Sequence, residues 1–332
     1  MIDVIRIIMG DYKHINISSI IQIGNWPSLD EPLAGSRVKT TVAEPETENL
    51  YIFKYPKEGR EAQIWSELIA SYIAGDLLGW PVQHAAIAMR RDKIGNLLRY
   101  IYDVHADPKK PSETFHAGEQ FCKHVDTNYD PIQGKRHTWD LIRKIHDDFL
   151  AYNKDGKFFP KVSNMYNIFW VRTVAFDTLI SNTDRHAENW ALLTKPSAYV
   201  RMAPFYDNGS SLGCENSEAT LRRKWFDSAD NLIEEKVKSY ASKGAHHLRD
   251  RKDRFKFEDL ALQVLKEFPD MRSEYEAIAQ LDLAPIERLL TDIMSIKGLP
   301  VAAQITPRRS AQVMALLQLG QSRIKRCLEK VK

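Results

Sequence analysis

The apolar positions of this chain change period about a third of the way along it. Up to residue 110 they come in short alternating or β-branched runs. Val4–Met9, Ile15–Ile23, Val38–Ala43, Leu50–Tyr55, Val82–Ala88 and Asn96–Tyr102 each predict a strand, and the turn formers of Trp26–Gly35 predict a loop. One helical pattern interrupts them. Ile64, Leu68, Ala70, Ile73, Ala74, Leu77 and Leu78 predict a helix over 61–78, ended by Gly79 and barred from continuing by Pro81. From His116 onward the period is helical. Trp139–Tyr152 is amphipathic, whereas Asn164–Ile180 is apolar nearly all round, as a helix buried in the middle of a domain must be. A short strand, Trp190–Leu193, follows, and four more helices are expected: Phe257–Phe268, Met271–Gln280, Pro285–Ile296 and Pro307–Lys330.

The polar, proline-bearing stretch Asp103–Pro111 marks the boundary, dividing the chain into a β-rich lobe (1–110) and a helical lobe (111–332). A β-lobe carrying one helix, followed by a helical lobe whose buried helix feeds a loop, is an α+β, bilobal, protein-kinase-like order. That loop carries the chemistry. Asn182–Trp190 contains Asp184 and Asn189 in a D-x-x-x-x-N spacing, and Pro204–Gly209 places Asp207 between an aromatic residue and a small polar one. Phosphoryl transfer needs a group that receives the hydroxyl proton and two oxygen ligands that hold Mg²⁺ against ATP phosphates. Asp184 suits the first role, Asn189 and Asp207 the second, and His186 is placed to brace the loop.

Lys54, on a strand with Phe53 and Tyr55 facing the other way, is placed to reach nucleotide phosphates, and Glu67 on the next helix is placed to pair with it. Gly35–Thr40 is not a Walker A loop, because Val38 stands where the glycine before the lysine belongs. A strand–turn–strand cover there would still offer Gly35 and Ser36 amides together with Arg37 or Lys39 to phosphate oxygens.

Composition narrows the setting. A net charge of +3 over 332 residues makes no global case for nucleic-acid or membrane binding. Cys122, Cys214 and Cys327 are too scattered for a disulfide framework or a zinc site, which fits a reducing cytoplasm. The N-terminus lacks a basic start and a cleavage site, and no run approaches a membrane span. Lys236–Lys256 is rich in Lys and Arg. It reads first as a solvated loop and helix face tempered by Asp250 and Asp253, and second as a patch for an acidic partner such as tRNA, a tRNA-bound synthetase or DNA.

With these residues placed, the chain resembles the HipA-like serine/threonine kinases of bacterial toxin–antitoxin modules. Leu33–Lys39 is similar to that family's phosphate loop, Tyr51–Lys54 to its lysine strand, Ser66–Val82 to its first helix and turn, and Phe115–Glu119 to the segment past the hinge. Thr183–Asn189 and Pro204–Asp207 carry the most specific likeness. The resemblance implies Asp184 as catalytic aspartate, Asn189 and Asp207 as Mg²⁺ ligands, Lys54 on the ATP phosphates, and adenine contact at the hinge near Arg99, Tyr100, Ile101 and Tyr102. It also implies a protein substrate, such as a translation factor or tRNA synthetase, and an antitoxin partner. Only about thirty residues precede the phosphate loop, so this is a short form. Pro32 occupies the position of a regulatory serine, leaving Ser28 and Ser36 as the nearest phosphoacceptors. Two other readings stand beside it: a small-molecule or phosphoinositide-like kinase, and a non-catalytic binding module on a kinase fold.

Overall fold

The computed structural model describes residues 19–29, 37–102, 112–131, 134–152, 159–195, 200–251 and 253–331. The expected strand Val4–Met9, the loop residues Pro32, Gly35 and Ser36, and the boundary stretch from Asp103 to Pro111 lie outside them.

Six strands form the first sheet: β1 (Ile21–Gln22), β2 (Ser28–Leu29), β3 (Lys39–Ala43), β4 (Leu50–Lys54), β5 (Ala85–Arg90) and β6 (Lys93–Arg99). Their order is β1-β5-β6-β4-β3-β2, antiparallel throughout except where β1 lies parallel to β5. The expected pair Val82–Ala88 and Asn96–Tyr102 is therefore displaced into one tight hairpin that turns at Arg91, whose φ is +59°. Alternation along β4 sorts its side chains. Phe53 joins Ile23, Val42, Ala86, Ala88 and Leu97 in a small cluster with Tyr51 and Tyr55 packed against it. Lys54 does not join that cluster, and its ammonium meets the helical part of the chain instead.

Helix α1 (Gln63–Tyr72) covers the sheet, with every residue from Gln63 to Ser71 buried. Its last turn, Ile73–Leu77, widens to a π-helix before Gly79 takes a left-handed φ of +65°. The sequence pattern expected one regular helix to Leu78. The widened turn instead carries the Leu78 amide to the Ile73 carbonyl and the Trp80 amide to the Ala74 carbonyl.

The remaining helices are α2 (Gly118–Val125), α3 (Trp139–Tyr152), α4 (Phe159–Ile180), α5 (Glu218–Lys224), α6 (Glu234–Lys243), α7 (Phe257–Glu267), α8 (Arg272–Ala279), α9 (Ala284–Met294) and α10 (Pro307–Lys330). α4 is the central helix that its apolar sequence demands, with Trp170, Val171, Val174, Ala175, Phe176, Leu179 and Ile180 all buried. α10 crosses it so closely that a Cβ at Gly320 would lie 2.2 Å from the Leu179 carbonyl oxygen. A glycine there lets α10 clamp the end of α4 where the candidate loop begins.

A three-stranded sheet, β7 (Thr114–Ala117), β8 (Ala191–Thr194) and β9 (Val200–Met202), runs in the order β7-β8-β9. The hairpin β10 (Ala245–Asp250) and β11 (Asp253–Lys256) completes the secondary structure. The first part of Lys236–Lys256 is the largely exposed helix α6, as expected, and the hairpin corrects only the loop expected after it. Charges at Arg249, Arg251 and Arg254 hide a strand that buries His246 and Leu248 completely. Among the described residues no helix is long and apolar enough to cross a membrane.

Candidate active site

The loop after α4 is built by side chains at its own start. The Asn182 amide nitrogen donates to the Asp177 carboxylate (3.0 Å), and its carboxamide oxygen accepts the Asp184 backbone N–H (3.1 Å). That turn aims Asp184 out of the helix axis. The Asp184 carboxylate then accepts the Ser210 hydroxyl at 3.2 Å, and its carbonyl accepts the Asn189 side-chain amide at 2.8 Å. With its nitrogen committed to that carbonyl, the carboxamide oxygen is the atom of Asn189 that could hold a cation. His186 accepts the Glu188 amide through Nδ1 at 3.3 Å and so caps the single turn Ala187–Asn189. It braces the loop, as its position suggested.

Arg185 was not singled out in the sequence, yet it organises the whole site. Its guanidinium is fully buried and uses all five N–H donors. Two go to the Asp177 carboxylate (3.1 and 2.9 Å), one to the Asn189 carbonyl (3.2 Å), one to the Tyr206 carbonyl (2.9 Å) and one to the Asn208 side chain (2.7 Å). One cation thus ties the end of α4 to both candidate loops. Asp177 also meets His246 Nε2 at 3.0 Å. His246 Nδ1 accepts the Leu248 amide, so Nε2 carries the proton and donates it. Burial opposes ionisation of Asp177, but the Arg185 charge and these hydrogen bonds outweigh it and hold the carboxyl down to about 2. The signal available in the sequence was an acid, Asp177, in the most apolar stretch of a largely apolar helix.

The second loop is held as tightly. Asp207 adopts a left-handed φ of +54°. Its carboxylate receives Lys54 Nζ at 2.6 Å and keeps 33% side-chain exposure, whereas Lys54 keeps 4%. Burial would raise the Asp207 carboxyl, but the Lys54 charge and hydrogen bond, with Arg37 and Lys39 behind them, bring it far below the usual range. The next residue, Asn208, gives its amide to Glu67 at 2.8 Å.

This last bond corrects one expectation. Glu67 does not pair with Lys54: one oxygen serves the Asn208 amide and the other faces Arg37 Nη1 at 3.9 Å. The reason is local. The buried N–H after the left-handed Asp207 requires an acceptor, and Glu67, 2% exposed, supplies it from α1. Gly209 makes room, since a Cβ there would lie 2.9 Å from Arg37 Nη1 and 3.0 Å from the free Glu67 oxygen. Arg37 is anchored through Nε to the Tyr55 carbonyl at 3.1 Å. Its Nη1 and Nη2 are buried without a hydrogen-bond partner. Lys39 lies directly across from Lys54 in the β3–β4 register, and burial followed by that neighbouring ammonium lowers its pKa.

Tyr100, Ile101 and Tyr102 follow β6. The Tyr100 hydroxyl hydrogen-bonds Thr41 at 2.9 Å, and the Ile101 carbonyl accepts Arg201 at 3.2 Å. Tyr102 packs on Phe115, which packs on Tyr206, so an aromatic wall runs from this segment to the residue before Asp207. The structure therefore joins Lys54 to Asp207 and Glu67 to Arg37, ties Asp184 to Asn189 on the loop that His186 caps, and connects the two loops through Arg185, with Lys39 opposite Lys54. Gly35 and Ser36 lie outside the described residues.

Replacing Asp177 with Asn keeps the shape but leaves Arg185 buried without a counter-charge, so Asp177→Asn should cost about 3–5 kcal/mol. The contribution of the wild-type carboxylate is present above its ordinary pKa of 3.8 and is lost as pH falls towards about 2. Urea unfolding across that window should show this loss in the wild type and not in the variant. A cost below about 1 kcal/mol, or the same acid profile in both, contradicts the assignment.

The comparisons with known proteins agree with this architecture. No curated protein sequence matches the chain. Among solved structures, the Helicobacter pylori proinflammatory kinase CtkA superposes with a TM-score of 0.69 at 17% identity, covering 94% of this chain and 98% of its own. HipA of Shewanella oneidensis MR-1, solved with HipB and operator DNA, superposes with a TM-score of 0.52 at 14% identity, covering 90% of this chain and 65% of its own. At such identities the likeness establishes the fold, which is the bilobal kinase-like one. The HipA-like C-terminal domain matches residues 32–282, well over half of the chain, and this protein belongs to that family.

Proposed function

We propose that this protein is an ATP-dependent serine/threonine protein kinase, transferring the γ-phosphoryl group of ATP to a protein hydroxyl. The observation that carries the reading is the arrangement of Asp184 and Asn189 on one loop, Asp207 on a second loop tied to it by Arg185, and Lys54 on β4, closed by the 2.6 Å Lys54–Asp207 contact. The residues present fit a nucleotide and a divalent cation. Arg37 has two buried guanidinium nitrogens without hydrogen-bond partners, and Lys39 and Lys54 face each other across two strands. Like charges so placed repel, and with Arg37 beside them the single Asp207 carboxylate offsets only part of that repulsion. Phosphate oxygens supply the remaining negative charge. Asn189 and Asp207 offer the hard oxygen donors that Mg²⁺ takes, and Mg²⁺ when bound neutralises phosphate charge and orients the group transferred.

The chain's own residues do the rest. Asp184, oriented by the Ser210 hydroxyl and the Asn182 turn, receives the proton of the attacking hydroxyl. Lys54 moves its hydrogen bonds between Asp207 and the α and β phosphates. Tyr100, Ile101 and Tyr102 line the adenine side. The Shewanella HipA, solved with HipB and operator DNA, supports an antitoxin partner for this chain as well.

Incubation with γ-labelled ATP and separate protein, lipid and aminoglycoside pools tests the class of acceptor, and label should enter protein serine or threonine. Asp184→Ala should lower kcat by about 10²–10⁴-fold while ATP affinity in Mg²⁺ stays near wild type. Substantial residual transfer by the purified variant removes Asp184 from the acceptor role. Asp207→Ala should act differently, weakening Mg²⁺-dependent ATP binding itself because a charge and an oxygen ligand are both lost. An unchanged titration in Mg²⁺ counts against that ligand.

A further inference from the structure

We propose that Arg254, supported by Arg249, binds an acidic side chain of the protein substrate close to the hydroxyl that Asp184 receives. This deepens the kinase reading above and rests on it.

The hairpin register decides how its charges are shared out. Arg249 lies directly opposite Arg254, and Asp250 directly opposite Asp253. Directly opposed residues share a face and the next pair along takes the other. The two arginines therefore stand together on one face and the two aspartates on the reverse. The four charges do not cancel locally, as their order in the sequence suggests; they are sorted by strand alternation.

The arginine face is the one that meets the catalytic loop. Arg254 Nη1 points to the Thr183 carbonyl at 3.4 Å, one residue before Asp184. Arg249 joins the same wall through its backbone, its amide donating to the His137 carbonyl at 3.1 Å. The ground beneath is uncharged. Trp190 Nε1 donates to His137 Nε2, so His137 donates through Nδ1 to His247 Nδ1 at 3.1 Å. Burial and the nearby Arg254 charge push His247 down to about 3.

Arg254 is exposed, and among the described residues no carboxylate lies within ion-pair distance of it. The charges that act on it are Arg249, which opposes its own, and Asp184, which attracts it. An arginine so placed favours an anion that arrives from solvent beside Asp184. A planar guanidinium fits a carboxylate in two-point contact, so an aspartate or glutamate flanking the acceptor residue is the matching chemistry. Such a contact also offsets the repulsion between two carboxylates, that of Asp184 and that of the substrate.

The test uses fluorescent serine-centred peptides with acidic, neutral or basic flanks, binding to the full chain by anisotropy. Wild type should bind the acidic set at least about tenfold more tightly than the neutral set, a difference of about 1.4 kcal/mol. The advantage should shrink as salt rises from about 50 to 300 mM, because an exposed pair is screened. Arg254→Glu should abolish the preference and turn it towards the basic set, whereas Arg254→Lys should keep part of it. In transfer assays the change should fall on KM for the acidic set. The melting temperature and ATP affinity monitor the fold and the nucleotide site. Equal binding of acidic and neutral sets, or a preference that survives Arg254→Glu, overturns the proposal. Anisotropy needs no turnover, so selective binding without transfer to any peptide counts against the kinase reading alone. Transfer to all sets alike, without selective binding, counts against Arg254 alone.

Discussion

A buried cation with five satisfied donors is the constraint on which the site depends. Arg185 cannot lose its charge and cannot be hydrated where it sits, so every N–H must find an acceptor inside the fold. Asp177 supplies two acceptors and the balancing charge. The other three come from Asn189, Tyr206 and Asn208, the residues beside and within the two loops that would do the chemistry. A loop that drifted by even an ångström would leave part of this guanidinium unpaired in a dry interior. The expense of burying the charge therefore becomes positional accuracy for Asp184, Asn189 and Asp207.

The sheet is coupled to this node by a second, more exposed set of charges. Lys54 reaches Asp207, while Glu67 on α1 holds the amide of Asn208 and faces Arg37. Arg37, Lys39 and Lys54 put three cations near one partly exposed carboxylate. That surplus of positive charge suits a ligand carrying several negative charges. The contrast between the two sets is physical. Arg185 and Asp177 are sealed and fixed, whereas Lys54 and Asp207 sit at the opening, where their partners can change.

Much of the architecture was legible because burial writes itself into period. α3 and α10 have the bounds their patterns expected, and α4 stands out because it is apolar nearly all round. The spacing of Asp184 and Asn189, and the neighbours of Asp207, were readable as candidate oxygen chemistry, and the structure sets them on two loops that Arg185 ties together. The misses share one cause: a polar residue whose partner is distant in sequence. Glu67 offers no local sign that its acceptor is needed by Asn208, 141 residues away. Arg185 looks like a surface arginine until Asp177 and the two loops surround it. β10 was obscured because His246 is buried for the sake of Asp177, breaking the apolar alternation that marks a strand. The π-turn after α1 likewise depends on how Trp80 docks, not on local propensity.

The central claim is that one guanidinium holds two loops in register. Hydrogen exchange of wild type and Arg185→Lys, compared segment by segment at equal temperature and pH, tests it most directly. Lysine keeps the charge opposite Asp177 but has three donors on one atom and cannot span the five acceptors. The account predicts that protection falls together in residues 182–190 and 205–211, while β3 and β4 in the six-stranded sheet keep theirs. Loss confined to one of the two loops, or protection unchanged in both, would contradict it.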